Sequence, residues 1–141
     1  MVRLRRGAAT GGLGLSSKIL VVDHSLYNRM VLRDILISHG FSVLEASTGD
    51  EAIELYRQLH PDLVTVEASM PGFDGARTVR EVLLIDPDAP VLMCGSHGQR
   101  SAVMEGMACG AEGVLLKPFK EKQVVRVVRQ SMRQPPPGNA R

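Results

Sequence analysis

Two kinds of apolar pattern alternate along the chain. Short, largely apolar runs at residues 18–22, 41–46, 62–66, 91–94 and 114–116, bounded by turn residues, predict strands of a buried sheet, the first suited to burial on both faces. Between them, apolar residues recur at helical spacing. These stripes are Leu32, Ile35 and Leu36; Ala52, Ile53, Leu55 and Tyr56; Val79, Val82 and Leu83; Val103, Met104 and Met107; and Val124, Val125, Val127, Val128 and Met132. Punctuation agrees with the periodicity. Ser25 and the Thr48/Glu51 pair have the spacing of helix N-caps, Gly40 and Gly110 follow helices, and His60-Pro61 ends the second one. Five strands alternating with five helices predict a parallel sheet with helices on both sides, joined by right-handed crossovers.

The longest informative stretch is PDLVTVEASMPGFDG, residues 61–75. Its strand ends at Glu67, and Ala68, Ser69, Pro71 and Gly72 are expected to deny the backbone regular structure until a helix begins near Asp74. A carboxylate therefore stands where a parallel strand meets its loop, the edge at which open α/β sheets gather reacting groups. Other strand ends deliver Asp23 and His24, then Gly95 and Ser96, then Lys117. Polar groups from four strands thus converge on one edge.

With 141 residues, 44% hydrophobic and 23% charged, the chain is sized for one core. A net charge of +2 makes no general case for nucleic acid or an acidic membrane, and no run approaches the roughly 18 apolar residues of a membrane span. Residues 1–17 form a basic, Gly-rich arm expected to be flexible, without a signal-peptide core. Residues 18–132 form the domain, and residues 133–141 a Pro-rich disordered tail. The two cysteines, Cys94 and Cys109, lack metal-ligand spacing and read as reduced packing residues, which with the missing signal predicts a cytoplasmic protein.

The words ILVVD, HPDLV, MPGFDG and GAEGVLLKPF, in that order, carry a resemblance. From about residue 18 to 132 the chain resembles the receiver domain of two-component response regulators, most of all the stand-alone chemotaxis type. The resemblance implies a flavodoxin-like α/β fold with strand order 2-1-3-4-5. It also implies an acidic pair after the first strand, a phosphate-accepting Asp after the third, a hydroxyl residue after the fourth, and an aromatic residue and a Lys on the fifth. Asp23 and Lys117 match that pattern. His24 stands at the second acid, Glu67 at the phosphoacceptor position, and Gly95 and Val114 at the two switch positions, with Ser96 one residue along.

These departures set the expectations. Asp23 and Glu67 count minus two, Lys117 plus one, and a protonated His24 would balance the pocket without metal, so Mg²⁺ at Asp23, Glu67 and Ser69 is expected to bind weakly or not at all. Glu67 reaches about 1.5 Å farther than an Asp would, which displaces a nucleophile and places a charge near the phosphoryl position, within reach of Lys117. The chain is accordingly read as a non-enzymatic pseudo-receiver in two-component signalling that needs no cofactor. It would be a monomer or weak dimer and act through protein contacts on the face of the fourth helix, fifth strand and fifth helix. Arg126, Arg129 and Arg133 share one side of the fifth helix and suit an acidic partner. Two other readings stand beside it: a receiver phosphorylated on Glu67 with Mg²⁺, and a flavodoxin-like small-ligand domain. Against the latter, His24-Ser-Leu-Tyr27 offers no Gly-rich phosphate loop after the first strand.

Overall fold

A computed structural model describes residues 16–133; residues 1–15 and 134–141, and with them most of the expected N-terminal arm and Pro-rich tail, lie outside the described residues. Five strands, β1 (Lys18–Val22), β2 (Ser42–Ala46), β3 (Leu63–Glu67), β4 (Val91–Gly95) and β5 (Gly113–Leu116), alternate with five helices. These are α1 (Leu26–Ser38), α2 (Gly49–Leu59), α3 (Gly75–Ile85), α4 (Arg100–Ala108) and α5 (Glu121–Arg133). The strands are parallel throughout and ordered β2-β1-β3-β4-β5, the flavodoxin-like arrangement expected from sequence.

Alternation along each strand sorts the apolar residues into two cores. Leu20, Val22, Val64, Val66 and Met93 face one side, where Tyr56 of α2, Val79 and Val82 of α3 and Val103 of α4 cover them. Ile19, Val21, Leu63, Leu92, Cys94 and Leu115 face the other, under Leu32 and Leu36 of α1 and Val124, Val128 and Met132 of α5. Each large aliphatic side chain among these, taken fully out of water, contributes about 1.5–3 kcal/mol, which is why apolar residues dominate the central strands on both faces.

Local chemistry sets the helix ends. Ser25 Oγ accepts from the Asn28 amide at 3.2 Å, Thr48 Oγ1 from Glu51 at 3.1 Å, and the Asp74 carboxylate from Arg77 at 2.6 Å. The Glu51 carboxylate reaches back to the Ser47 amide, at 2.9 Å, rather than to that of Thr48. His60 closes α2 in the left-handed region, at φ 44°.

Two expectations need correction. Residues 68–74 are not devoid of regular structure: Ser69–Met70 pairs antiparallel with Phe73–Asp74. Pro71 and Gly72, the latter at φ +69°, occupy the central positions of the intervening turn, where Pro fixes a negative φ and Gly accepts a positive one. In α4, Met104 is 59% exposed, and Gly106 lies inward instead because Met93 packs where its side chain would be. The α4 segment also opens with a 3₁₀ turn, His97–Gln99, before the α-helix proper.

Gly75, the first residue of α3, determines how closely that helix approaches β3. A Cβ there would overlap the carbonyl oxygen of Glu67 and lie 2.9 Å from that of Ala68. We predict that Gly75→Ala lowers stability by about 1–3 kcal/mol, whereas Gly98→Ala, with nothing within 4 Å of its added carbon, is near neutral. Urea denaturation midpoints of the two variants check this.

Candidate functional site

Parallel register brings the site together. Val22 pairs with Val66, Glu67 with Cys94, and Gly95 with Leu116, so Asp23, Glu67, Gly95 and Lys117 emerge side by side at the carboxyl edge. Asp23 and Glu67 are each only 3% exposed. The Lys117 ammonium lies between them, with Nζ 2.9 Å from Asp23 Oδ2 and 3.1 Å from Glu67 Oε1. The Lys117–Pro118 peptide is cis.

His24 completes the cluster from the solvent side. Its ring Nδ1 is 2.5 Å from Glu67 Oε2, and its backbone amide donates to the same oxygen at 3.2 Å. The remaining oxygen, Asp23 Oδ1, accepts from the Ser25 amide at 2.9 Å. Every carboxylate oxygen in the pocket is thus already held by a donor of the chain. Burial drives the Asp23 carboxyl above its ordinary range, more than the bonds from Ser25 and Lys117 lower it. Burial acts on Glu67 in the same direction, but the two bonds from His24 and the Lys117 charge outweigh it and hold that carboxyl low. Lys117, although its own burial opposes the charge, is pushed upward by its two carboxylate neighbours.

The switch positions are packed rather than open. A side chain at Gly95 would meet Val103 Cγ2 at 2.7 Å and Gln99 Oε1 at 3.4 Å. Gln99 is fixed there because its amide oxygen accepts from the Ser96 amide at 3.0 Å, and Ser96 Oγ lies 3.4 Å from that oxygen. Ser96 is therefore engaged with Gln99. Val114 is part-buried against the core.

Sequence reasoning missed Gln99, although Ser96 and Gln99 have capping-box spacing. It also missed Arg29, which donates to the Asp23 carbonyl at 2.8 Å and to Glu45 at 3.1 Å. No local signal pointed to Arg29, because Glu45 lies on the neighbouring strand.

A receiver pocket ordinarily takes Mg²⁺ on oxygen ligands, and the residues here fit that ion poorly. Asp23, His24 and Glu67 do place ligand atoms within 4.8 Å of one another. However, the second acid is replaced by an imidazole, a ligand suited to transition metals, and Lys117 already occupies the space between the carboxylates. Ser69 is exposed and sits in the short ribbon opposite Asp74.

Comparison with known proteins agrees with the fold. Residues 19–129 match the family model of the response regulator receiver domain, and the chain belongs to that family. It is 36% identical over 117 residues to the chemotaxis protein CheY of Thermotoga maritima, covering 82% of this chain and 98% of that protein. Against CheY of Bacillus subtilis it is 36% identical over 119 residues, covering 84% and 99% respectively. Among solved structures, Vibrio cholerae CheY4 superposes with TM-score 0.77 at 27% identity, covering 83% of this chain and 99% of that one. The receiver domain of NtrX from Brucella abortus gives TM-score 0.77 at 28% identity, covering 81% and 97%. The chain is thus a CheY-like receiver domain of two-component signalling, a class whose members work by contact with signalling partners. No helix among the described residues is long and apolar enough to cross a membrane.

Removal of the Lys117 charge tests the pocket's electrostatics. In the native protein Glu67, held low, adds stability above the ordinary carboxylate range that is lost as pH falls through its depressed value. Asp23, held high, acts in the opposite sense and offsets part of that. In Lys117→Met both buried carboxyls lose the cation and move up, so their stability is present at low pH and lost as pH rises. We expect a deficit of about 3–5 kcal/mol at neutral pH that narrows by about pH 4, read from denaturant unfolding at the two values.

Proposed function

We propose that this protein is an atypical receiver, a pseudo-receiver that signals through protein contacts without phosphorylation of an aspartate. The observation that carries the reading is the state of Glu67. It occupies the phosphoacceptor position, and both its oxygens are committed, one to Lys117 and the other to His24. A side chain so held is a poor in-line nucleophile, since phosphoryl transfer depends on positioning to well under an ångström. Its charge instead stands permanently against Lys117, much as a bound phosphoryl group would place one. The filled space beneath Gly95 supports the same reading, because no hydroxyl is available there to follow a phosphate and Val103 and Gln99 leave no room for one.

The contact face is proposed from exposure and charge. β5 is an edge strand, flanked by α4 on one side and α5 on the other. Leu116 of β5 and Met104 of α4 are 42% and 59% exposed, and Arg126 and Arg129 of α5 are exposed, while the Arg133 side chain lies outside the described residues. An acidic partner surface with an apolar centre matches these groups. The cofactor-free, monomeric or weakly dimeric, non-enzymatic and cytoplasmic character expected from sequence belongs to this proposal.

Intact-protein mass spectrometry after incubation with acetyl phosphate and Mg²⁺ tests it. The native protein should gain no alkali-labile, carboxyl-bound phosphoryl group, while the double variant His24→Asp/Glu67→Asp, with three short carboxylates restored, should gain one. A carboxyl-bound phosphoryl group on native Glu67 would overturn the proposal in favour of an ordinary phosphorelay role.

A further inference from the structure

We propose that His24 is a phosphoryl acceptor in its own right, taking the group on ring Nε2 from an energetic N-phosphoryl donor. The inference rests on the reading of Glu67 as a carboxylate that stays ionised and is not itself modified.

Three observations lead there. First, an ionised carboxylate only accepts hydrogen bonds, so the 2.5 Å contact with Glu67 Oε2 places the proton of that bond on His24 Nδ1. Whenever the ring is neutral, its lone pair is then on Nε2. Second, Nε2 takes part in no hydrogen bond among the described residues, and the side chain that carries it is 46% exposed. Third, the ring is fixed by its own backbone: the His24 amide binds the same Glu67 oxygen, and Asp23 Oδ1 holds the next amide, that of Ser25. The imidazole is presented two residues before Leu26, the first residue of α1, where the partial positive charge of a helix N-terminus favours an arriving anion.

A carboxylate behind one imidazole nitrogen makes the other a better nucleophile and stabilises the positive ring formed when it reacts. Glu67, unable to act in line as an acceptor, serves in that second role as a positioning residue. The chemistry balances without a further reactant. The Nε2 lone pair attacks phosphorus, the P–N bond of the donor breaks, and its nitrogen leaves with the electron pair and takes up a proton from water. The Nδ1 proton stays in its bond to Glu67, and the product is a phosphoramidate on His24.

Phosphoramidate is the probe, applied to the native chain at mildly alkaline pH with a chelator present. The expected result is one added phosphoryl group that survives alkali, is lost in acid and maps to the peptide containing His24. His24→Gln, at a half-exposed side chain that the core does not need, should lose the label. His39→Gln, at a histidine paired with Glu121 away from the site, should keep it. Glu67→Gln should slow labelling about tenfold and alter its pH profile, which a purely structural role would leave unmoved. Absence of label, or label on His39, His60 or His97, overturns the inference while leaving the pseudo-receiver reading intact. An alkali-labile label on Glu67 overturns both.

Discussion

Two carboxylates buried at one edge of a sheet require a cation, and Lys117 supplies it. Removing such groups from water costs several kcal/mol each unless they are paired and hydrogen-bonded, so Asp23 and Glu67 can remain buried only because the ammonium stands 2.9 and 3.1 Å away. That constraint reaches back into the fold. Lys117 comes from the end of β5, Asp23 from the end of β1 and Glu67 from β3, so the pocket is neutralised only when three strands far apart in sequence lie in correct parallel register. The same ion pairs therefore fasten the sheet edge and define the site.

Functional consequences follow from how the remaining lone pairs are used. Here the amide and ring of His24 both donate to one Glu67 oxygen, and the Ser25 amide donates to Asp23 Oδ1. Lengthening the acceptor side chain by one methylene brings Glu67 to both Lys117 and His24 at once. The result is a closed network of charges across three strand ends. It also leaves the His24 imidazole on the solvent side of the pocket, its side chain 46% exposed.

The switch region has been reorganised on the same principle of filled space. Without a side chain at Gly95, Val103 and Gln99 close over the backbone, and Gln99 holds Ser96 by its amide. The backbone at Gly95 is thus in close contact with α4 and the turn before it, where a larger residue would have to displace Val103.

Much of this was legible from the chain alone. Largely apolar runs marked the central strands because both of their faces are covered, and Ser25, Thr48 and Asp74 marked helix starts because their oxygens answer local amides. Convergence of Asp23, His24, Glu67 and Lys117 was readable too, since parallel topology sends every strand end to one edge. Other features were decided only in three dimensions. Whether Glu67 would meet Lys117, His24 or both depended on the separation of strand ends to a fraction of an ångström. The inward place of Gly106 rather than Met104 depended on where Met93 already lay, and the role of Arg29 depended on Glu45 from a neighbouring strand. Periodicity and capping are properties of residues a few positions apart, so the sequence by itself determined the elements and their order. Hydrogen-bond partners and packing neighbours are set by distances between segments remote in the chain, and only the tertiary structure decided those.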